Sequence, residues 1–330
     1  MRIGIFQSKY PATSVRLYTD NVVAHLKEFG NQIFFFSSDD ALPDVDVIWD
    51  PTCTGARYPN RKILSSNIPW VITLHGAAIL STPLSYNFST LSEKIKGLFT
   101  AIRRWMVWMV YKYKVAQIIT VSEYAKEELI KCLGMRSEQI AVIYHGYEKR
   151  WFNPSTTSKD YLLHVSAYQP KKNVDRIIEA YQSIAYSEKL PLVVICPGYN
   201  KSITDKKITI IDEVLSSEQV AAYMKGAYTF IFPSLHESFG MPLLEAMACG
   251  TPVITSNTSA CPEIIQQAGL LVDPLSVTSI RSAIHEIMSN KDLHTKLSSA
   301  AIHRAQYFSW ETAAWQHEAV FRKVFESKKC

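Results

Sequence analysis

The stretch HESFGMPLLEAMACGTPVITSN, residues 236–257, contains two glutamates whose spacing could serve one ligand. Glu237 and Glu245 lie on either side of a Phe-Gly turn. An ionised carboxylate can accept paired hydrogen bonds from a vicinal diol, and a nucleotide sugar has one such diol on its sugar ring and another on its ribose. We therefore predict a sugar-nucleotide site. Either glutamate alone is more typical of a solvated helix surface, so the prediction depends on the whole stretch.

A short helix is predicted inside this stretch. Pro242 suits the first position of a helix, where its missing N–H costs nothing, and Gly250 suits the residue just past the end. The sequence therefore predicts a helix over residues 242–248. A helix start presents unpaired N–H groups and a partial positive charge, and Gly240 lets the backbone approach a ligand closely. Backbone donors at this turn could bind an anion or a ring of hydroxyl groups.

The stretch resembles the paired-glutamate motif of the family 4 retaining glycosyltransferases, also called glycosyl transferases group 1. The family motif has the same Phe-Gly and the same Glu-Ala-Met-Ala-Cys-Gly-Thr-Pro-Val continuation. The resemblance extends to residues 269–274 and, more weakly, over nearly the whole chain. It implies a nucleoside diphosphate sugar as donor, a glycan or lipid-linked acceptor, and no metal or other cofactor.

The same resemblance implies roles for individual residues. Catalysis is expected to involve Glu237, His75 and Lys172. Glu237 is expected to contact the transferred sugar and Glu245 the ribose. Donor contacts are expected from Glu245, Phe239, Gly240, Met241, Pro242, Leu243, Lys171 and Val214.

The predicted phosphate site departs from the family at one position. Lys172 follows a predicted strand and precedes a predicted helix, where a lysine can reach a diphosphate. The family has this lysine and usually an arginine five residues earlier, where the present sequence has Ala167. Lys171 is the nearest possible substitute. Taken alone, the two lysines are typical of a solvated helix start.

Three histidines are weaker candidates. His75, in Thr-Leu-His-Gly at the end of a predicted strand, resembles the family's histidine beneath the donor sugar. Without that resemblance, a histidine after a strand is more often a hydrogen-bonded structural residue. His145 occupies the family's usual Asn position before Gly146 and is expected to form a turn. His236 has no specific role.

The order of elements predicts an α/β protein, because short apolar runs alternate with helical segments, as is typical of parallel sheets covered by helices. The pattern restarts after a polar, turn-rich linker at residues 148–159. We predict two Rossmann-like domains facing a central cleft, the architecture called GT-B. Strands are predicted at 2–6, 32–36, 46–49, 70–74, 117–121, 140–143, 161–166, 191–196, 207–211, 228–232, 252–255 and 269–272. Helices are predicted at 15–29, 94–114, 123–133, 173–186, 217–225, 242–248, 276–288 and 310–327.

The domains follow from these elements. Residues 1–150 are the predicted N-terminal Rossmann-like, acceptor-side domain, and residues 151–309 the predicted nucleotide-sugar-binding domain. The resemblance implies that residues 310–330 form a C-terminal helix that packs back on the first domain.

Three other functions are found on α/β folds of this kind. The loop at residues 8–16 contains no G-x-G-x-x-G, which counts against a nicotinamide dehydrogenase. Ser14 and Arg16 could contact a phosphate or acceptor, and solvation explains them equally well. A nucleotide-sugar epimerase of the same fold would consume donor without an acceptor. Ala167 and the missing glycine-rich loop also leave open a non-catalytic sugar-nucleotide-binding subunit.

The predicted helix at residues 94–114 combines basic residues with tryptophans and tyrosines. Its apolar stretch is too short to span a bilayer, but basic groups beside tryptophans are typical of a helix that binds anionic lipid head groups. A helix packed on the first sheet is an equally good interpretation. The residues concerned are Lys94, Lys96, Arg103, Arg104, Lys112, Lys114, Trp105, Trp108, Tyr111 and Tyr113.

Composition restricts partners and compartment. The 35 basic and 30 acidic residues give a net charge of +5, which is too weak to indicate nucleic-acid binding. The 6 cysteines have no metal-ligand spacing, so reduced thiols in the cytosol are predicted. The first strand begins too close to Met1 for a signal peptide. We expect a cytoplasmic protein that can also bind peripherally to the inner face of the membrane. Asp44 and Asp46 are interpreted as structural rather than as a metal clamp.

Overall fold

The computed structural model describes residues 1–8, 13–52, 58–155 and 160–328. Within these ranges the chain divides into two compact units. The first takes its residues from Met1–Thr82, Ile95–Gly146 and the C-terminal segment that begins at Ser309, and the second from Pro83–Lys94 and Tyr147–Phe308. Each unit contains one six-stranded parallel sheet, which confirms the predicted α/β class with two Rossmann-like domains.

The sheets have the strand orders β2-β1-β3-β4-β5-β6 and β12-β11-β10-β7-β8-β9. Every predicted strand is present to within one residue at each end. The strands are β1 (Arg2–Phe6), β2 (Gln32–Phe36), β3 (Val47–Asp50), β4 (Trp70–Thr73), β5 (Gln117–Thr120), β6 (Ile140–Val142), β7 (Tyr161–Val165), β8 (Leu192–Ile195), β9 (Ile208–Ile211), β10 (Ala227–Phe232), β11 (Val253–Ser256) and β12 (Gly269–Val272).

Helices cover these sheets. They are α1 (Thr13–Glu28), α2 (Arg61–Ser65), α3 (Ala78–Ser81), α4 (Leu84–Asn87), α5 (Leu91–Tyr111), α6 (Glu123–Leu133), α7 (Val174–Gln182), α8 (Ser217–Gly226), α9 (Met241–Ala248), α10 (Cys261–Ile265), α11 (Val277–Ser289), α12 (Lys291–Ala305) and α13 (Trp310–Glu326). The sequence did not predict α12, because its buried stripe consists of Leu297, Ala301 and Ala305 and gives only a weak apolar pattern. Helix α7 ends four residues before the predicted position.

The first unit includes the C-terminal helix. Helix α13 packs against α1 and β3, and the Asn31 amide donates to Glu318 Oε1 at 3.1 Å. A Cβ atom added to Gly146 would lie 2.1 Å from the backbone nitrogen of Trp310. Only glycine therefore allows the chain after β6 to approach the start of α13 this closely.

Part of the predicted membrane-binding face, on α5 and the turn that follows it, is wrong. Arg104 and Lys112 are buried, and the guanidinium of Arg104 donates to the carbonyl of Gly76. The Lys112 ammonium donates to the carbonyl of Leu133 at 2.8 Å. Trp108 is fully buried in the core. Trp108 turns inward because the side of α5 that faces the sheet needs apolar bulk. Arg104 and Lys112 turn inward because the carbonyl groups of Gly76 and Leu133 need hydrogen-bond donors.

The remaining polar predictions are placed as follows. Arg2 pairs with Asp44 at 2.6 Å and with Asp46 at 2.9 Å. Among the described residues, Cys132, Cys196, Cys249 and Cys261 are free thiols, whereas Cys53 and Cys330 lie outside the described ranges. No helix in those ranges is both long and apolar enough to cross a bilayer.

Candidate functional site

The predicted lysine and first glutamate meet at one edge of the second sheet. Strands β7 and β10 are parallel neighbours, so the segments that follow them emerge at the same edge. Lys172 follows β7 and Glu237 follows β10. The Lys172 Nζ atom lies 2.6 Å from Glu237 Oε1, and the two side chains are 16% and 11% exposed. The site therefore contains a largely buried ion pair between residues far apart in the chain.

Backbone and amide hydrogen bonds hold the two segments together. The N–H of Leu235 donates to the carbonyl of Lys171 at 2.7 Å. Asn173 has a left-handed backbone, with φ of 63°. Its side-chain amide donates to the carbonyl of Pro233 at 2.9 Å and to that of Pro274 at 2.7 Å. One amide group thus ties the lysine turn to the segments that follow β10 and β12.

Electrostatics keeps Glu237 ionised. Burial alone disfavours its charged form, but attraction to Lys172 and Lys171 is stronger, so the pKa of Glu237 lies below its ordinary value. The Glu237 backbone N–H donates to Ser259 Oγ at 3.1 Å. The Lys172 ammonium also lies 5.0 Å from the centre of the Phe232 ring. Both charges are therefore held in place from more than one side.

An uncharged layer lies beneath this pair. The Nδ1–H of His164 donates to the carbonyl of Ile231 at 2.8 Å, so its Nε2 accepts from the Ser166 hydroxyl at 2.8 Å. Burial lowers the pKa of His164 to about 4, which keeps the ring neutral. The ring stacks on Phe232, with 5.8 Å between centroids. The His164 ring therefore adds no positive charge that would compete with Lys172 for the glutamate.

The start of α9 has the predicted glycine-dependent turn. Gly240 has φ of 98°, and an added Cβ would lie 3.0 Å from Leu243 Cδ1. Met241 and Pro242 are the first two helical residues and are half-buried. Leu243 is fully buried, and its N–H donates to the carbonyl of Gly240 at 2.9 Å. Gly250 follows the helix with φ of 70°, as predicted.

The other predicted donor contacts are spread more widely. Phe239 is buried and meets Phe308 edge to face, with 5.8 Å between centroids. Val214 lies between β9 and α8, with 88% of its surface exposed. His236 is buried. The structure thus brings Lys172 and Glu237 into direct contact, whereas Val214 lies on an exposed loop.

Glu245 differs from Glu237 in charge state. It lies on α9 and is half-buried. Burial, with a smaller contribution from the nearby Glu148 carboxylate, raises the pKa of Glu245 to about 8. Glu148 itself pairs with Arg150 at 3.0 Å. In the free protein at neutral pH, Glu245 therefore holds a proton and can donate a hydrogen bond.

Two contributors to this site are not predicted from the sequence. Ser259 Oγ accepts a hydrogen bond from the backbone N–H of Glu237, and the Glu148 carboxylate helps to raise the pKa of Glu245. Glu148 lies inside the predicted linker, whose polar, turn-rich sequence indicates only a connection between domains. Ser259 follows β11 in a polar run, and only the sheet order places it near Glu237.

His75 belongs to the first unit, just after β4. Its Nε2 lies 3.2 Å from the carbonyl of Pro51. Burial lowers the pKa of His75 to about 4, so the ring is neutral. The rings of His75 and His145 stack with 5.9 Å between centroids, so His145 packs against the histidine loop in addition to preceding Gly146.

The first strand-to-helix loop is only partly described. Residues 9–12 of the predicted loop 8–16 lie outside the described ranges. Ser14 and Arg16 lie in the first turn of α1, where Arg16 Nε is 3.9 Å from Asp20 on an exposed surface. This geometry agrees with the solvated interpretation of Arg16.

Comparisons with known proteins add family information. Residues 147–304 match the model described as "Glycosyl transferases group 1", and residues 34–150 match "Glycosyltransferase Family 4". The O-antigen chain mannosyltransferase B of Escherichia coli is 25% identical over 229 residues, which are 60% of this chain and 58% of that protein. The MMP alpha-(1->4)-mannosyltransferase of Mycolicibacterium hassiacum is 26% identical over 85% of this chain and 71% of its own length. The chain thus spans little more than half the length of the first relative.

Solved structures share the fold. Sucrose-phosphate synthase from Thermosynechococcus elongatus has a TM-score of 0.79 at 17% identity and covers 99% of this chain and 100% of its own. Anabaena Alr3699/HepE, solved in complex with UDP and glucose, has a TM-score of 0.72 at 15% identity and covers 98% of this chain and 100% of its own. At such identities the likeness shows the GT-B type of fold alone.

The ion pair generates a first prediction. Glu237→Gln removes the partner of a mostly buried ammonium, so the free protein should melt at a lower temperature. The released Lys172 should then bind a free nucleoside diphosphate more tightly, by about tenfold, since a charged hydrogen bond contributes about 1.5–3 kcal/mol. Calorimetric titration with UDP and GDP measures this.

Glu218→Gln, an exposed change on α8, is the matched control. Unchanged or weaker diphosphate binding in Glu237→Gln would show that Lys172 does not bind the phosphates.

Proposed function

Because the chain belongs to the family 4 glycosyltransferases, we propose that it transfers a hexose from a nucleoside diphosphate sugar to a hydroxyl group of a glycan or glycolipid, with retention of configuration. The observation that supports this most directly is the Lys172–Glu237 pair beside the start of α9. An ammonium suited to a diphosphate and a carboxylate suited to a sugar diol lie at one sheet edge. The mannosyltransferases among the relatives favour mannose as the hexose.

Each residue has a proposed role. Glu237 accepts hydrogen bonds from hydroxyls of the transferred sugar, and Glu245 accepts from the ribose. Lys172 stabilises the negative charge that grows on the diphosphate as the glycosidic bond breaks. His75 contacts the transferred sugar. Backbone N–H groups near Gly240 supplement Lys172, so the proposal requires no metal ion.

Retention follows from attack on the face that the leaving group vacates. The bond between the anomeric carbon and the phosphate oxygen breaks, and a bond to the acceptor oxygen forms on the same face. The departing phosphate oxygen takes the acceptor's proton. In this scheme no protein side chain has to accept that proton, and the protein's part is to orient the two substrates and stabilise charge.

A second proposal concerns the acceptor surface. Residues 98–110 of α5 present an apolar face on which seven side chains are each between 41% and 67% exposed. Lys96, Arg103 and Lys114 are exposed in or just after the same helix. We propose that this face binds an anionic lipid surface, where a lipid-linked acceptor would be found. The seven side chains are Leu98, Phe99, Ile102, Trp105, Met106, Met109 and Val110.

Substitution of the glutamates tests the proposed reaction. Glu237→Ala should abolish transfer, because its carboxylate contacts the reacting sugar, whereas Glu245→Ala should mainly raise the donor KM. Each lost charged hydrogen bond costs about 1.5–3 kcal/mol, or roughly one to two decades in rate or affinity. Product formation is measured with UDP-glucose and GDP-mannose, and Glu218→Gln is again the control. Normal turnover in Glu237→Ala would refute the assignment.

Lysine and alanine variants complete that test. Lys172→Ala should lower kcat, and Ala167→Arg should raise it by adding the guanidinium that the family usually has. If Lys172→Ala changes neither rate nor affinity, the phosphates bind elsewhere.

The charge state of Glu245 predicts a pH dependence of donor binding. Below its pKa of about 8, Glu245 is protonated, and binding to two ribose hydroxyls must release that proton. Donor affinity should therefore rise with pH by at most about tenfold per unit and level off above about pH 8. Calorimetry in buffers of different ionisation enthalpy counts the proton released.

Glu148→Gln removes the neighbouring negative charge, so the plateau should begin at lower pH than in the Glu218→Gln control. Donor affinity that stays constant between about pH 6 and pH 9 would contradict the ribose role.

Vesicle sedimentation tests the lipid proposal. The protein should bind phosphatidylglycerol vesicles more than about tenfold more tightly than phosphatidylcholine vesicles, and salt should weaken that binding, because basic residues attract anionic head groups. The double variant Phe99→Asp/Val110→Asp should lose binding, whereas Tyr307→Asp, also at an exposed aromatic residue, should not. Equal binding to both vesicle types, or none to either, would favour a soluble acceptor.

A further inference from the structure

A chain of hydrogen bonds crosses the core of the first unit at the end of β4. The indole N–H of Trp49 donates to Thr73 Oγ1 at 3.0 Å. Thr73 Oγ1 lies 3.1 Å from Tyr18 Oη, which lies 2.5 Å from Nε2 of His317. Nδ1 of His317 lies 2.7 Å from the carbonyl of Ala313. The chain therefore links β3, β4, α1 and the C-terminal helix α13.

The protons of this chain have only one consistent arrangement. The indole of Trp49 can only donate, and the carbonyl of Ala313 can only accept. Nδ1 of His317 therefore holds the proton, and Nε2 accepts from the Tyr18 hydroxyl. Thr73 in turn donates to Tyr18. Burial lowers the pKa of His317 to about 4, so the neutral ring that this arrangement needs is the prevailing form.

The same tyrosine packs against the histidine loop. Thr73 is the last residue of β4, two residues before His75. The rings of Tyr18 and His75 meet edge to face, with centroids 5.0 Å apart and planes at 86°. On another side, His145 stacks with His75. Because Nε2 of His75 donates to the carbonyl of Pro51, its Nδ1 is left as a hydrogen-bond acceptor.

We propose that Tyr18 and His317 are positioning residues for His75, so that α13 fixes the orientation of this imidazole. The inference rests on the proposed function, in which His75 contacts the transferred sugar. Its Nδ1 is then oriented to accept a hydrogen bond from a sugar hydroxyl. Tyr18 and His317 are buried and act only through His75. His317 holds the hydroxyl of Tyr18, and the Tyr18 ring packs against the His75 imidazole.

Three variants separate positioning from mere packing. Tyr18→Phe keeps the ring but removes the hydroxyl. His317→Leu removes the acceptor, and His317→Gln can restore one through its amide oxygen. Trp315→Ala, at a mostly exposed position of α13, is the control for general changes in this helix. Tyr18→Phe is the mildest of these changes and keeps the proposal testable if His317→Leu fails to fold.

Two measurements are made on each variant. Nitrogen-15 spectra of the histidine rings report the tautomer of His75, which should be the single Nε2–H form in the wild type and mixed in Tyr18→Phe and His317→Leu. Transfer from UDP-glucose and GDP-mannose should show kcat reduced by about tenfold in the same variants, the order expected for a contact displaced by a fraction of an ångström, with donor KM little changed. His317→Gln should recover much of both signals.

The outcomes distinguish this inference from the proposed function. If Tyr18→Phe and His317→Leu melt earlier yet keep the wild-type His75 tautomer and kcat, α13 is a packing element and the inference is wrong. If the wild type transfers neither sugar, the proposed function loses its support, and the ring spectra alone then decide whether Tyr18 and His317 orient His75.

Discussion

Lys172 and Glu237 hold opposite charges where water reaches only a small part of either side chain. Taking an ion out of water costs several kcal/mol, and attraction to a partner offsets that cost only when geometry and further hydrogen bonds are favourable. The second unit supplies that geometry. Asn173 joins three chain segments, Ser259 binds the backbone of Glu237, and the aromatic face of Phe232 lies against the ammonium. Much of the polar structure at this sheet edge can be understood as support for one ion pair.

The two glutamates of the motif illustrate how surroundings set chemistry. Glu237 has a cation at 2.6 Å and stays ionised, whereas Glu245 has burial and a like charge near it and is protonated at neutral pH. The residue type is the same in both positions. Sequence spacing does not show the neighbours of each glutamate. Those neighbours decide that Glu237 can only accept hydrogen bonds, whereas Glu245 can also donate one.

The strands were predictable because each is an apolar run bounded by turn residues, as in Ile3 to Phe6 and Val253 to Thr255. The motif also predicted Gly240 and Gly250, since their positions follow from helix capping. The contact between Lys172 and Glu237 was not predictable from spacing, because it depends on β7 lying beside β10 in the sheet. The inward turn of Arg104 and Lys112 was missed for another reason. Helix α5 is apolar on both faces, so its pattern does not show which face is buried.

The two hydrogen bonds donated by the Asn173 amide also constrain the order in which the protein folds. The amide binds carbonyls 60 and 101 residues further along the chain. Contacts so distant in sequence form late, because the intervening chain must be ordered first. During synthesis, the lysine turn cannot be completed until residue 274 has left the ribosome. A nascent or truncated chain that ends before residue 274, with β7 to β10 already paired, would have four strands of the second sheet and an unfinished lysine turn.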